Sequence, residues 1–120
     1  DSGGAGKYRG GLGLRRVIAP IGHDCTFNGA GERFGNEPWG VFGGRPGGTG
    51  RFIHTTNDGR EAQLEFKPSG IVLKEGEMLT VEPPGAGGYG KPSSRSPAAI
   101  TKDHDSGKFS NAYIKRNYRN

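Results

Sequence analysis

Glycine occupies 24 of the 120 positions, and no other feature of the sequence restricts the fold as strongly. Each glycine enlarges the entropy lost when the chain orders. A share of about a fifth, against a usual 7% or so, is tolerable only where backbone turns tightly or runs close against another surface. Val, Ile, Leu and Phe together number only 21, a thin supply of core for a chain of single-domain length. Burial that the chain lacks would have to come from a neighbour.

The net charge of +5 arises from Lys and Arg scattered along the chain rather than striped on one element, which argues against a nucleic-acid partner. Arg9-Gly10-Gly11 is one copy of a tripeptide that RNA-binding segments repeat with interleaved aromatics, so a basic RNA-binding module is the weakest reading. The single cysteine excludes an internal disulfide and fits a reducing compartment. No apolar run approaches 18 residues and no charged-then-apolar leader opens the sequence. Neither a membrane span nor secretion is indicated, and the cytoplasm is the expected location. Asp1 in place of an initiating Met suggests a processed or trimmed product, or a chain that begins beyond its encoded start.

The pattern along the chain predicts a mainly β fold, with short antiparallel hairpins, long glycine-rich loops and a short C-terminal helix. A single small domain is expected over 1–120, with a glycine-rich β module over 1–90 and an extended crossing plus docking helix over 91–120. Residues 1–13 read as a flexible leader. Strands are expected within Leu14–Ile21 and His23–Phe27, and 28–50 as a loop with nine glycines. Arg51–Thr56 and Arg60–Phe66 flank Asn57-Asp58-Gly59, where Asp-Gly supplies the positive φ of a hairpin turn; Ala62, Leu64 and Phe66 would form its buried face. Ile71–Leu73 and Met78–Val81 flank Lys74-Glu75-Gly76-Glu77 and read as a second hairpin. Pro83-Pro84 ends that strand. Ser96-Pro97 is an N-cap followed by proline at the first helical position, predicting helix over Ala98–Lys102. Ser110 is a second N-cap, with Phe109 and Ile114 spaced as a hydrophobic staple, Tyr118 one turn beyond Ile114, and Lys115, Arg116 and Arg119 near the helix end.

Several motifs invite a chemical reading. Gly85-x-Gly87-x-x-Gly90 matches the dinucleotide fingerprint by letter, but Lys91-Pro92-Ser93-Ser94 follows where a helix N-terminus must face the pyrophosphate. Gly6-Lys7 lacks the Ser/Thr and the upstream glycine of a phosphate loop. His23, Asp24 and Cys25 could offer a strand face only two metal ligands, so zinc would need His54, His104 or another chain. The expectation is no metal site.

Four ordered segments carry a more specific signal: residues 1–13 (DSGGAGKYRGGLG); Arg33 with Pro38-Trp39-Gly40-Val41-Phe42-Gly43-Gly44; Ser69-Gly70-Ile71-Val72-Leu73-Lys74-Glu75-Gly76-Glu77; and Pro84-Gly85-Ala86-Gly87-Gly88-Tyr89-Gly90. In that order they resemble the C-terminal part of the hydantoinase B and 5-oxoprolinase family, and the tail, with Asp105, Gly107, Phe109, Ser110 and Tyr118, resembles its closing helix. The resemblance implies an ATP-dependent, biotin-independent enzyme. In such enzymes an A-type component phosphorylates a carbonyl, lactam or enolate oxygen, and a B-type component helps complete hydrolysis or carboxylation. It implies larger A-type and B-type subunits as partners, with ATP and Mg bound on another subunit. B-type chains are several times longer, so a small subunit of a carboxylase of the acetophenone type suits the length best, and the end of a hydantoinase or oxoprolinase is the alternative. Lys7, Arg9 and Arg33 become candidates to steady phosphate or bicarbonate, with salt bridges as their structural alternative. Gly3, Gly4, Gly10, Gly11, Trp39, Gly87, Gly88 and Tyr89 become candidate contacts to the partner chain.

Overall fold

Short strands separated by long glycine-rich crossings make up the β part of the chain; the computed structural model describes residues 1–118. In chain order the strands are β1 (Arg16–Ile18), β2 (Cys25–Phe27), β3 (Arg51–Thr55), β4 (Glu61–Gln63), β5 (Ile71–Leu73) and β6 (Met78–Glu82). A single 3₁₀ turn at Pro92–Ser94 precedes α1 (Pro97–Asp105) and α2 (Asn111–Asn117). The mainly β class expected from the sequence is the one observed.

One antiparallel sheet runs β1-β6-β3-β4, and β2 pairs with β5 in a second. The Asn57-Asp58-Gly59 hairpin forms, with Ile53 opposite Gln63 and Thr55 opposite Glu61. Only Gly59 takes a positive φ, 84°, as the left-handed residue that follows an ordinary turn in a longer hairpin loop. The expected buried face on its return strand needs correction. β4, the sheet's uncovered edge, ends at Gln63 with all three residues exposed, Ala62 among them; beyond it Leu64 is half-buried and Phe66 exposed.

The second hairpin is also corrected. The Lys74–Glu77 turn is present, with Glu77 N donating to Lys74 O at 3.0 Å and Gly76 at φ 85°, but its two arms separate. β6 is already paired on both edges, by β1 and by β3, so it has no free edge for β5. β5 takes β2 instead, placing Cys25 opposite Leu73. The buried Glu77 carboxylate holds this junction: Oε2 accepts from Lys74 N at 3.1 Å and lies 2.9 Å from His54 Nε2 on β3. These contacts, the backbone hydrogen bond first, keep Glu77 below the usual glutamate range.

Two small cores result. Phe52 packs edge-on to Phe27 (5.4 Å between ring centroids) and against Phe34 (4.7 Å), near buried Leu79. The other core joins Ala5, Phe109, Tyr113 and Tyr118, with Leu12, Ile100 and Ile114 packed against it. Ser96 and Ser110 cap as the sequence predicts: their side chains accept from Ala99 N and Tyr113 N. α1 runs three residues beyond Lys102, to Asp105, and Arg119 lies outside the described residues.

The leader is not a free loop. Gly3 to Gly6 and Gly10 are buried, and α2 docks on them through Tyr113, whose hydroxyl donates to Gly3 O at 2.6 Å, and Tyr118, whose hydroxyl accepts from Gly6 N at 3.3 Å. Burial is the first cause that lifts the Tyr113 hydroxyl well above the usual tyrosine range. The glycines permit approaches that no side chain could tolerate. A Cβ at Gly10 would stand 1.9 Å from Ala86 O, and one at Gly87 would stand 1.8 Å from Trp39 O. The 1–13, 38–50 and 83–90 segments therefore form a backbone-on-backbone core.

Candidate functional site

A heavily charged concavity lies where the leader meets α1. Asp103 sits on the inward face of α1 and is only 4% exposed. Two guanidinium groups hold its carboxylate: Arg9 Nε donates to Oδ1 at 2.8 Å, and Arg95 Nη2 donates to Oδ2 at 2.7 Å. Arg9 also donates to Gly10 O at 3.2 Å and stacks 5.0 Å from the Phe109 ring centroid. Arg95 donates to Lys7 O at 3.1 Å and lies over Tyr118, 5.7 Å from its centroid. One acid thus ties α1 to the leader and to the crossing after the 3₁₀ turn. Charge-assisted bonds at these lengths, on a carboxylate withdrawn from water, are among the stronger polar contacts available to a protein.

Around this triad opens a cleft of about 540 Å³ whose lining includes Lys7, Arg9, Arg95, Lys102 and Lys108, with Asp103 as its only carboxylate among the described residues. Ser94, Ser96 and Ser106 contribute hydroxyls. Lys7, Lys102 and Lys108 make no ion pair among the described residues, and Arg95 Nε is buried without a hydrogen-bond partner. Such a surplus of fixed positive charge attracts an oxyanion.

Of the three cations expected from the sequence, the structure brings Lys7 and Arg9 together and leaves Arg33 elsewhere. Arg33 lies over the Trp39 ring at 4.7 Å and lines a separate crevice with Phe34 and Phe66. Arg9 is engaged by Asp103, whereas the Lys7 ammonium lies over the Tyr8 ring and has no carboxylate partner among the described residues. Gly3, Gly4, Gly10 and Gly88 are buried against this chain's own backbone and Gly87 is half-buried in the same way, whereas Gly11 has open space around it. Trp39 and Tyr89 are 71% and 51% exposed. Sequence reasoning missed Asp103 and Arg95. The one local sign was Asp103 standing three and four residues beyond Ile100 and Ala99, on the face that α1 turns inward.

The remaining motifs have structural roles. Gly85 abuts Ser2 O and Gly87 abuts Trp39 O, so chain already fills the hollow that a phosphate would need, and no helix begins at Gly90. Asp24 Oδ1 accepts from Glu75 N at 3.0 Å, and His23 Nδ1 lies 3.0 Å from Ile21 O. Elsewhere Glu82 joins Arg15, at 2.5 Å, and Arg51. The hydrogen bond from Arg51 is the first cause holding its carboxyl below the usual range.

Comparison with known proteins sets these features in a family. A family model described as hydantoinase B/oxoprolinase matches residues 1–92. An uncharacterised protein of Methanocaldococcus jannaschii is 39% identical over 99% of this chain and 21% of its own length. The caprolactamase subunit beta of Pseudomonas jessenii is 36% identical over 86% of the chain and 18% of its own length. The 5-oxoprolinase of Dictyostelium discoideum is 32% identical over 78% of the chain and 7% of its own. Among solved structures, a nucleotide-free acetone carboxylase superposes with a TM-score of 0.79 over 98% of this chain and 20% of that one, at 21% identity. The chain thus spans about a fifth of the relatives' length, or less. With the family match over three quarters of its residues and a relative aligned along nearly all of it, the chain belongs to the hydantoinase B/oxoprolinase family.

Proposed function

We propose that this chain completes the B-type component of an ATP-dependent enzyme that activates a carbonyl oxygen, and that the reaction is the opening of a cyclic amide. The observation that carries the reaction is the 36% identity to a caprolactamase beta subunit over 86% of the chain, with a 5-oxoprolinase at 32% pointing the same way. On this proposal ATP and Mg bind a larger A-type subunit; the backbone packed against Gly85, Gly87 and Gly88 leaves that loop no hollow for a phosphate. Within the complex, Lys7, flanked in the cleft by Lys102 and Lys108, steadies an anionic group such as the phosphate carried by the activated oxygen. Arg9 and Arg95 share the Asp103 carboxylate, and Arg95 in turn places Lys7 by donating to its backbone carbonyl. The site of action is the cytoplasm.

A second reading, ATP-dependent carboxylation of a ketone, is favoured by the likeness in fold to acetone carboxylase along nearly the whole chain. On that branch the proposed substrate is an aromatic ketone such as acetophenone, and the cleft receives bicarbonate or its phosphorylated form.

The test is to purify the complex through a tag on this chain and measure ATP consumption with caprolactam, 5-oxoproline and hydantoin, and separately with acetone or acetophenone plus bicarbonate. Ring opening coupled to ATP supports the first reading. Carboxylation without ring opening replaces it with the second, and ATP consumption with neither class rejects both.

A further inference from the structure

Four bulky side chains stand together on the outside of the glycine core. Tyr8, Val41, Phe42 and Tyr89 are between 44% and 74% exposed, yet they are neighbours. The Phe42 and Tyr89 ring centroids are 5.2 Å apart in an edge-on arrangement, and those of Tyr8 and Tyr89 are 6.2 Å apart. The backbone beneath them is a short ladder with Tyr89 in the middle, antiparallel to Tyr8 and parallel to Val41. Tyr8 and Tyr89 exchange hydrogen bonds of 3.0 and 2.8 Å, and Val41 N donates to Gly88 O at 2.9 Å. Clustered apolar exposure marks recognition surfaces, and rings on a fixed backbone lose little freedom on docking.

Phe42 strengthens the case. Residues 41–44 form a tight turn in which Gly44 N donates to Val41 O at 3.0 Å, with Phe42 and Gly43 at φ 49° and 88°. Positive φ at both central positions is the arrangement that favours Asn or Gly, and a bulky residue at the first of them is strained. In the chain alone this strain gains little burial, since the ring is 74% exposed. Strain of this kind persists where another requirement fixes it.

The surroundings indicate what covers the patch. Lys7 Nζ lies 5.4 Å from the Tyr8 ring centroid and the Lys91 side chain meets Gly43. Arg45, Lys91 and Arg116 line an adjoining crevice that has no carboxylate among the described residues. An apolar centre with a basic rim calls for an apolar partner surface rimmed by acids. The chain exposes 7725 Å², against about 6,200 Å² for a folded monomer of its mass. Its radius of gyration is 17.2 Å, against about 14 Å for a compact chain of this length. The surplus, about 1,500 Å² by that scaling, exceeds the roughly 800 Å² that one partner contributes to a standard interface.

Taking the family role above as its basis, we propose that the face formed by Tyr8, Val41, Phe42 and Tyr89 is where the rest of the hydantoinase B/oxoprolinase polypeptide docks. That is the part, about four fifths, that the M. jannaschii relative carries beyond the matched region. The occupant is a larger B-type chain, not a second copy of this one.

The test uses the full chain, tagged and expressed in its source organism, with a photo-crosslinking phenylalanine analogue at position 42 or, as control, at exposed position 72 on β5. The proposal expects a B-type polypeptide to co-purify and to crosslink from position 42 and not from 72. A Phe42→Gly variant, which relieves the strained φ, should keep or raise its melting temperature while losing affinity for that polypeptide by about 30-fold or more. If the B-type polypeptide co-purifies but crosslinks only from 72 and Phe42→Gly binds unchanged, the face is wrong and the family role stands. Crosslinks between copies of this chain overturn the choice of occupant. If no B-type polypeptide co-purifies, the family role itself fails.

Discussion

Asp103→Ala should destabilise the chain by about 3 kcal/mol, and the figure follows from what the carboxylate holds. Removing one member of a buried ion pair costs about 3–5 kcal/mol, because the abandoned charge remains out of water. Here two guanidinium groups lose their acid, but they are not equally trapped. The Arg9 side chain is 30% exposed and can rehydrate, whereas that of Arg95 is 10% exposed and already has an unpartnered Nε. The low end of the range therefore applies. With a urea m-value of about 2 kcal/mol/M for a domain of this size, the unfolding midpoint should fall by about 1.5 M. Arg9→Ala should cost only about 1 kcal/mol, because its ion pair is partly in water. Equilibrium urea unfolding followed by tyrosine fluorescence reads both, since Tyr113 and Tyr118 leave the affected core. A midpoint shift under about 0.5 M for Asp103→Ala would refute the idea that this triad binds leader to helix.

Gly87→Ala should destabilise by about 3 kcal/mol by overpacking, since its Cβ would meet Trp39 O at 1.8 Å; Gly11→Ala, with open space around it, should change stability by less than about 1 kcal/mol. Differential scanning calorimetry separates the two. Ser110→Ala removes the cap on Tyr113 N and should cost about 1 kcal/mol, read as a lower midpoint in urea. Glu77 and Glu82 both titrate below the usual value of 4.5 in the folded chain. Their contribution to stability is therefore fully present above that value and is lost as pH falls through the depressed ones. Unfolding midpoints measured from pH 6 downward should drop below about pH 4.5, and Glu82→Gln should flatten that drop; an unchanged slope would show that Arg15 and Arg51 do not hold the carboxylate.

What the sequence revealed was mostly local. The caps at Ser96 and Ser110 were legible because a hydroxyl, the next turn and a proline or staple lie within five residues. The turns at Asp58-Gly59 and Lys74–Glu77 were legible for the same reason. Which strand pairs with which was not, since β5 and β6 leave a shared turn for partners far apart in the chain. The glycines announced close approach correctly, but the surface approached turned out to be this chain's own backbone, a non-local fact with no local sign. Lys7, Arg9 and Arg33 share family-like motifs, but only Lys7 and Arg9 share a cleft. Asp103, which binds Arg9, and Arg95, which shares that carboxylate, come from a segment that reads as surface crossing and short helix.

Reconstitution decides whether the proposed enzyme depends on this chain. The larger subunits, assembled with and without the 120 residues, are assayed for ATP-dependent ring opening. No coupled turnover is expected without the chain, and recovery is expected when it is added back in equimolar amount. Full turnover in its absence would contradict that dependence.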